Sequence, residues 1–400
     1  MANRVVISIC GEEYTLVADE VPAYMQKVGN YVSEKMTDVM EAAKVGRTDA
    51  AVLTAVNLTD ELLEGLALAN ADLIELQPNH LVVNKKLGSA DRVTVVSMGG
   101  SGHEPCCAGF TGEGMLDIAV IGDIFAAPGA QPCFEALQKA QRGKGVLYIV
   151  LNHAGDMLAG NMAMKLAGKK GLSVRKVVTQ EDISSEPRAN ADNRRGLVGC
   201  VAVYKIAGAA AAAGKSLDEV ADIAQYTADN MATLAVAMRG ATHPVTGAVL
   251  AELPDDEMEI GMGQHGEGGG GISKMCTADE TVEKMLPPLV KATKLAAGDK
   301  ALLLINGSGA TTTMEMLICY RKAKQMLADA DTAGKLAIDA ACAKAEEELK
   351  ELSRQVSEKA RAQAKGLSGE LENQKAALRA RAEGRLEQAA ALVVERIVNS

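Results

Sequence analysis

The 400-residue chain contains no tryptophan, and its three phenylalanines and seven tyrosines bring the aromatic fraction to only 2%. Proteins that bind single-stranded nucleic acid stack bases on aromatic side chains, so this composition argues against such binding. The 42 basic and 52 acidic residues give a net charge of −10, which argues against a general polyanion binder. We therefore expect no nucleic-acid partner.

Long apolar runs are also missing. No window offers the roughly 18 uninterrupted apolar residues of a membrane span, and the Ala-rich run at 207–214 is far too short. The opening MANRVVISICGEEY lacks a secretion-signal layout because Gly11, Glu12 and Glu13 interrupt it at once. These features predict a cytoplasmic protein without a membrane span.

The cysteines show no paired metal-binding spacing, so we predict no metal site and reduced, mostly buried thiols. Adjacent Cys106 and Cys107 are expected to point in different directions. The eight cysteines are Cys10, Cys106, Cys107, Cys133, Cys200, Cys276, Cys319 and Cys342.

What the chain does have is 48% hydrophobic residues, enough for a sizeable core built mainly from Ala, Val, Leu, Ile and Met. At roughly 150 residues per domain, the length suggests two or three folding units. No aromatic residue follows Tyr320, so the last 80 residues differ from the end of a globular domain.

The first 61 residues predict a small ββαα head. Residues 4–9 and 15–18 are β-branched strands around a turn at Gly11. Pro22 stands near the start of a one-sided helix, and a second helix is predicted over 48–66 with Thr48 as its N-cap. Such a small unit has little core and often needs a partner.

The sequences RVVISICGEEYTLVADEVPAYMQKVGNYVSEKM and TDAAVLTAVNLTDE closely resemble the globular head of ZapA, a bacterial cell-division protein associated with the FtsZ ring. The resemblance implies an association head. ZapA proteins continue into a long coiled-coil helix, and this chain departs from that pattern near Leu62.

The second zone, 62–330, alternates apolar runs with glycine-rich loops and helical stretches. Strands are predicted at 93–98, 146–151, 197–203 and 302–305. Strands that end in glycine-rich loops and lead into helices are typical of α/β domains. Ligands of such folds lie beyond the carboxyl ends of the strands.

The third zone, 331–400, is rich in Ala, Glu, Lys, Leu, Arg and Gln and predicts a long charged helix or coiled coil. Leu349, Ala360, Leu371, Ala382 and Val393 recur at eleven-residue steps, a period associated with right-handed supercoiling. Three glycines, Gly366, Gly369 and Gly384, are expected to weaken the helix. The segment LRARAEGRLEQAAALVVERIVNS resembles a peripheral-stalk subunit of V-type ATPases, while a solvated, oligomerising or frayed helix is the alternative.

Two of the five histidines lie in glycine-rich loops followed by glutamate: His103 in GGSGHEP and His265 in GQHGEGGGG. Glycine lets the backbone approach a ligand closely, and GGSGH is not a P-loop because it lacks GK[ST]. A neutral imidazole can add to a ketone carbonyl. His80 and His243 are interpreted as surface or turn residues, and the direction of His153 is left open.

Asp156 in NHAGD follows a predicted strand end and a glycine. A carboxylate there can act as the base for a substrate hydroxyl, although a turn or a helix N-cap is an equal alternative. Glu104 and Glu267 are candidates for orienting the two histidine rings, or for capping turns.

Five blocks in order resemble the K subunit of dihydroxyacetone kinases: MGGSGHEPCCAGFTGEGMLDIAVIGDIFAAP, NHAGDMLAGNMAM, NRRGLVGCVAVYKIAGAAAAAGKSLDEVA, EMEIGMGQHGEGG and LLINGSGATTTMEML. The resemblance implies that His265 holds dihydroxyacetone as a hemiaminal and that Asp156 is the general base. It also implies that Gly100, Ser101, Gly102 and His103 form the loop that hydrogen-bonds the substrate.

The resemblance further implies a separate L-type subunit that carries ADP or ATP with magnesium, since no acidic cluster for a nucleotide occurs here. A homodimer is expected. Leu151 stands where many members carry a substrate-contacting lysine, Gly268 replaces a proline, and Met98 replaces a glycine. We expect the last part of the K fold to be missing after about residue 330, where the charged helix begins.

The resulting expectation is an α/β core of the K type over 62–330, preceded by the ββαα head over 1–61 and followed by the helical tail over 331–400. Its function would be that of a glycerone kinase component. Two alternatives stay open. One is a non-catalytic ketose-binding regulatory protein of the same fold, and the other is a fusion whose ends have no coordinated function.

Overall fold

The computed structural model describes residues 3–18, 21–185, 188–241, 249–309 and 311–398. By spatial clustering the chain forms two compact units. The first contains residues 1–295 and 301–324, and the second contains 296–300 and 325–400. Among the described residues, no helix has the length and apolar character needed to cross a bilayer.

The ββαα head is confirmed. Strands β1 (Asn3–Ile9) and β2 (Glu12–Ala18) form an antiparallel hairpin, followed by helices α1 (Pro22–Ala43) and α2 (Arg47–Ala69). Its small core contains Ile7, Ile9, Val32 and Met36. The predicted N-cap at Thr48 is wrong, because α2 begins one residue earlier with Gly46 in the N-cap position.

The α/β core is confirmed as well. Its six strands are β3 (Ile74–Gln77), β4 (Leu81–Asn84), β5 (Thr94–Ser101), β6 (Ile118–Ile124), β7 (Val146–Leu151) and β8 (Val174–Thr179). They form one sheet with the order β3-β4-β6-β5-β7-β8, in which β5 pairs in parallel with β6 and β7, and β7 pairs in parallel with β8. The helices that follow are α3 (Ala130–Ala140), α4 (Ala154–Lys169), α5 (Cys200–Ala212) and α6 (Leu217–Asp229).

Alternation along the central strands fills a core on each face of this sheet. In β7, Leu147 and Ile149 pack into the core that contains Tyr204 of α5, whereas Tyr148 and Val150 face the core that contains Leu137 of α3. Both faces are therefore buried, as is usual for parallel sheets, and the whole of β7 is apolar.

The first unit also contains α7 (Ala278–Thr293) and three further strands, β9 (Val236–Ala237), β10 (Glu257–Ile260) and β11 (Gly271–Lys274). These strands form a smaller antiparallel sheet with the order β11-β10-β9. This sheet is far more exposed than the large one, and β11 has no buried residue.

Two predicted strands are wrong. Residues 197–203 lead into α5, where Val203 and Tyr204 pack on the sheet from a helix, so the apolar run has helical rather than extended geometry. Residues 302–305 form no strand, and Leu302 is 78% exposed because no neighbouring strand in the described chain pairs with this segment.

The long charged helix is confirmed as α8 (Thr313–Val398), which has 86 residues and runs through all three glycines without interruption. Beyond residue 325, every described residue of α8 is exposed or half-buried. The resemblance of this tail to a V-type ATPase stalk stays a prediction.

Candidate functional site

The first histidine loop begins where β5 ends. Gly100 allows a close approach of two backbone segments, since a Cβ there would lie 2.8 Å from the nitrogen and oxygen of Ala126. Gly102 has φ +89°, a conformation that side chains rarely adopt, and its N–H donates to the Glu104 carboxylate at 3.0 Å. Glu104 therefore caps this turn rather than orienting a ring. His103 follows directly on the turn.

Asp156 lies in the first turn of α4, on the same edge of the sheet. His153 occupies the N-cap position of this helix, so the alternative of Asp156 as the N-cap is wrong. The Asp156 side chain is buried, and its Oδ1 has no hydrogen-bond partner within the described part of the chain. Burial raises the pKa of Asp156 to about 7, against an ordinary value of 3.8.

His265 comes from a loop between β10 and β11. Its Nδ1 lies 2.9 Å from Oε1 of Glu267, and its backbone N–H donates to the other carboxylate oxygen of Glu267 at 3.0 Å. The hydrogen bond with His265 holds the pKa of Glu267 at about 2, so the carboxylate is ionised and accepts a hydrogen bond from Nδ1–H of His265. Glu267 thus orients the His265 ring.

The two loop histidines meet across the cleft. Nε2 of His103 lies 2.8 Å from Nε2 of His265, and the Phe125 ring packs near both, with centroids 5.3 Å and 5.8 Å away. Burial, reinforced by His265, lowers the pKa of His103 to about 4, so His103 is neutral at pH 7. The sequence could not show that residues 162 positions apart touch.

The protons of these rings follow from their contacts. Because Glu267 accepts from Nδ1 of His265, a neutral His265 presents a lone pair at Nε2. The Nε2–H of neutral His103 then donates a hydrogen bond to Nε2 of His265, and Nδ1 of His103 carries no hydrogen. That Nδ1 faces the carbonyl oxygen of Gly100 at 3.2 Å, the longest of the three contacts.

His153 lines the same cleft, and its direction is now fixed. Its Nε2 donates to the carbonyl oxygen of Gly196 at 2.8 Å, and its ring centroid lies 5.9 Å from that of His265. Burial lowers the pKa of His153, so this ring is also neutral at pH 7.

The cleft has a volume of about 300 Å³, including the part open to solvent. Of the predicted site residues, Gly100, His103, Asp156 and His265 line it, and Ser101 and Gly102 do not. The Ser101 hydroxyl is buried and donates to the carbonyl oxygen of Gly122 at 3.0 Å. The other lining residues are Gly99, Cys106, Cys107, Leu151, His153 and Gln264.

Arg195 was not predicted from the sequence, although it holds the His265 loop. Its guanidinium donates to the Asp182 carboxylate at 2.8 Å, to the Gly261 carbonyl at 2.7 Å and to the Glu267 carbonyl at 3.0 Å. Asp182 is 1% exposed, so this ion pair is largely desolvated. The NRRG block was visible in the sequence, but nothing in it indicated a partner near residue 267.

Among the described residues, one set of three possible metal ligands lies close together: His153, His265 and Glu267, with ligand atoms within 4.8 Å of one another. Both ring nitrogens of His265 already have partners, at Glu267 and at His103. An ion bound by this set would have to displace one of these two contacts.

The other histidines lie elsewhere. His80 is in a turn, with φ +56°, and its Nε2 lies 2.8 Å from the Asp60 carboxylate. These two residues line a second, larger cleft of about 1060 Å³, again including the part open to solvent. His243 lies outside the described residues.

Comparisons with known proteins identify the family of this chain. The family model "Dak1 domain" matches residues 64–342. The chain belongs to the Dak1 family. A second model, "Cell division protein ZapA", matches residues 5–81, which is similarity over the head alone.

Several relatives are dihydroxyacetone-binding subunits. The subunit DhaK of the PTS-dependent dihydroxyacetone kinase from Lactococcus lactis is 38% identical over 68% of this chain and 82% of its own length. The corresponding subunit of the PEP-dependent enzyme from Escherichia coli is 32% identical over 66% of this chain and 82% of its own length.

Solved structures agree at the level of the fold. The dihydroxyacetone kinase of C. freundii has a TM-score of 0.61 and 33% identity over 66% of this chain and 49% of its own. The dihydroxyacetone kinase operon co-activator Dha-DhaQ also has a TM-score of 0.61, with 31% identity over 67% of this chain and 82% of its own.

Proposed function

We propose that this chain is the dihydroxyacetone-binding component of a kinase and holds its substrate covalently on His265. The observation that carries this proposal is the contact of Glu267 with Nδ1 of His265, which leaves a lone pair on Nε2. Nε2 contacts His103 across the cleft and exchanges that contact for the substrate carbonyl. That lone pair adds to the carbonyl carbon, and the carbonyl π electrons move to oxygen. The oxygen takes a proton from water, and the Nδ1 proton of His265 passes to water through Glu267, so the product is a neutral hemiaminal.

Asp156 is proposed as the general base. Its pKa of about 7 lies close to neutral pH, where a base is most effective, and no described residue hydrogen-bonds to its Oδ1. The carboxylate takes the proton of the substrate hydroxyl as the hydroxyl oxygen attacks the phosphoryl group. Substrate contacts from the 100–103 loop come from Gly100 and His103, which line the cleft.

The phosphoryl donor is proposed to reside on an L-type partner, as ADP or ATP with magnesium. Support comes from the relatives that are named as binding subunits of PTS- or PEP-dependent kinases. In the same division of labour, residues 62–330 bind the substrate, while the head over 1–61 and the tail over 331–400 serve association.

We test this function by incubating the protein with dihydroxyacetone and measuring its intact mass under non-denaturing conditions. We expect one substrate-sized adduct in the wild type, its loss in His265→Ala and its retention in the control His80→Ala. An adduct that survives His265→Ala would refute the covalent role of His265.

A second candidate is a ketose-binding regulatory protein. It is favoured by one observation: the TM-score with the operon co-activator, 0.61, equals that with the C. freundii kinase. Leu151, which replaces the expected lysine, lines the cleft. Adding an L-type subunit and its donor separates the two functions. Phosphorylated product supports the kinase component, and an adduct without product supports the regulator.

Self-association is proposed to use the tail. Six large aliphatic residues of α8 follow the eleven-residue period and are each between 52% and 67% exposed: Leu349, Val356, Leu367, Leu371, Leu378 and Val393. We call this set the tail stripe. Helices that leave an apolar stripe uncovered in water gain stability by pairing.

A second copy of the chain fits the tail stripe. Residues 331–400 contain twelve acidic and twelve basic residues, so two tails do not repel each other, although the whole chain carries −10. A parallel pair in register places Leu367 and Leu378 opposite themselves, whereas an antiparallel pair centred on Leu371 places Leu367 opposite Lys375. We therefore propose a parallel homodimer.

Sedimentation of the full chain tests this pairing. Leu371→Glu combined with Leu378→Glu is expected to convert a dimer into a monomer. Ala380→Glu, on the opposite face of the same helix, should leave the dimer intact. A monomeric wild type, or a dimer unaffected by the double substitution, would disprove the tail as the interface.

A further inference from the structure

Two thiols lie side by side beneath the substrate cleft. The sulfur atoms of Cys106 and Cys107 are 3.4 Å apart, and both residues line the cleft with Asp156 and His265. Cys106 is partly exposed and Cys107 is fully buried. The expectation that these neighbours point in different directions is wrong.

The turn after His103 brings the two side chains together. The Cys106 N–H donates to the carbonyl oxygen of His103 at 3.0 Å, and the Gly109 N–H donates to that of Pro105 at 2.8 Å. The Cys107 thiol donates to the carbonyl oxygen of Met98 at 3.3 Å, which fixes it below the end of β5. Both sulfurs are thus held by the loop that presents His103.

Both thiols are neutral at pH 7. Contact with Cys106 and burial raise the pKa of Cys107 well above its usual range. For Cys106, contact with Cys107 lowers the pKa, but contact with Cys200 and burial together raise it further. Because the thiolate is the reactive form in disulfide exchange, this pair is poorly suited to that chemistry. Two neutral thiols are instead suited to a soft electrophilic centre that carries an oxygen ligand. Such a centre binds both sulfurs and releases its oxygen as water.

We propose that Cys106 and Cys107 form a vicinal dithiol site for trivalent arsenicals, and that this site opens on the cleft. With phenylarsine oxide, both S–H bonds break and two As–S bonds form. The oxygen of the reagent leaves as water with the two protons, and no oxidant or reductant is needed. A sulfur separation of 3.4 Å lets one arsenic atom bridge both sulfurs.

The location gives the site a consequence. An arsenical held by both sulfurs occupies the space between Gly99, Asp156 and His265, where the proposed substrate lies. Arsenical and dihydroxyacetone should therefore exclude each other. This exclusion rests on the proposed function, whereas the dithiol site itself does not.

Other cysteines supply internal controls. Cys200 is the next thiol, 3.9 Å from the Cys106 sulfur, and is the alternative second ligand. Cys342 is exposed on α8. Among the described residues, no further sulfur–sulfur contact between cysteines is recorded beyond these two.

The test treats the reduced full-length protein with one equivalent of phenylarsine oxide, removes free reagent and measures intact mass. We expect one bound phenylarsenic group that 1,2-ethanedithiol removes. Cys106→Ser and Cys107→Ser should each weaken binding by roughly 10²-fold or more, because two linked thiols bind far better than one. Cys200→Ser and Cys342→Ser should retain it.

Failure has distinct forms. An unmodified wild type, or full binding by Cys107→Ser, would overturn the dithiol site. If Cys107→Ser does not fold, Cys107→Ala and the competition measurement replace it. In the wild type, saturating dihydroxyacetone should slow arsenical binding, and in His265→Ala the protection should disappear. If the wild type forms the dihydroxyacetone adduct but the adduct does not slow arsenical binding, the two ligands do not share the cleft. If the wild type forms no adduct, the proposed function is wrong and the dithiol site is unaffected.

Discussion

The six-stranded sheet supplies His103 to the cleft and the three-stranded sheet supplies His265, but the two sheets hold these histidines by different means. His103 follows β5, whose residues are almost all buried between two cores, so packing fixes its position. His265 follows β10 and precedes β11, which has no buried residue. Its loop is held instead by Glu267 and Arg195. Packing is spread over many contacts, whereas a few hydrogen bonds can be removed by one substitution.

The largest effect is expected on the six-stranded side, at the proposed base. Asp156→Asn keeps the shape of the side chain and removes the proton acceptor, so phosphorylation should fall by roughly 10²–10⁴-fold. The dihydroxyacetone adduct should persist, because it forms on the other sheet's histidine. Turnover with an L-type partner and intact mass measure the two properties separately. Asp123→Asn, at the end of β6, is the control, and an unchanged rate in Asp156→Asn would remove Asp156 from the mechanism.

The second prediction tests the hydrogen-bonded side with a matched pair of substitutions. Arg195→Gln breaks the pair with Asp182 (1% exposed), and Arg92→Gln breaks the pair with Asp117 (0% exposed). Leaving a buried carboxylate without its partner costs about 3–5 kcal/mol in either case. Both variants should therefore lose similar stability in denaturant unfolding.

Only Arg195→Gln should weaken the dihydroxyacetone adduct, because only Arg195 contacts the His265 loop, at Gly261 and Glu267. Compared with Arg195→Gln, the variant Arg195→Lys should recover part of the lost stability, because it keeps a positive charge beside Asp182. It should recover less of the adduct, since lysine cannot reproduce the planar set of donors. Equal adduct loss in the Arg92 and Arg195 variants would mean that the loop responds only to overall stability.

The third prediction is a pH dependence of stability. The pKa of Asp156 is about 7 in the fold and 3.8 when unperturbed, so the folded state holds a proton that the unfolded state releases. The stability that this proton provides is present below pH 3.8 and is lost as the pH rises through 7. Asp156→Asn should therefore be more stable than wild type at pH 8, by at most about 4 kcal/mol, and no more stable at pH 3.5. Thermal unfolding at the two pH values measures this, and an equal difference at both would contradict burial as the cause.

The two sheets also differ in how well the sequence predicts them. Buried parallel strands such as Val146–Leu151 are short apolar runs bounded by glycine, so their position and the Asp156 that follows were predicted. The Arg195 contacts join residues far apart in the chain, and no local pattern encodes them. The strand predicted at 302–305 is wrong because a strand needs a hydrogen-bonded neighbour, which an apolar composition alone does not supply.

The smallest predicted effect concerns Gly268, which stands where the resemblance to dihydroxyacetone kinases leads us to expect proline. A Cβ at Gly268 would lie 3.1 Å from Oε1 of Glu259, a contact that a small shift relieves, and no hydrogen bond from its N–H is recorded in the described chain. Gly268→Pro should thus stabilise the fold by about 0.4–1 kcal/mol, mainly by restricting the unfolded chain, and strengthen the dihydroxyacetone adduct only a few-fold.

Gly269→Pro is the matched contrast one residue later. It removes the N–H that donates to Glu259 at 3.1 Å, and its Cβ would lie 2.1 Å from the carbonyl oxygen of Gly261, which Arg195 also binds. This variant should lose stability and the adduct together, because the loop has no packed core to absorb the displacement. If both proline variants behaved alike in unfolding and adduct measurements, the loop would be positioned by something other than these hydrogen bonds, and the contrast between the two sheets would fail.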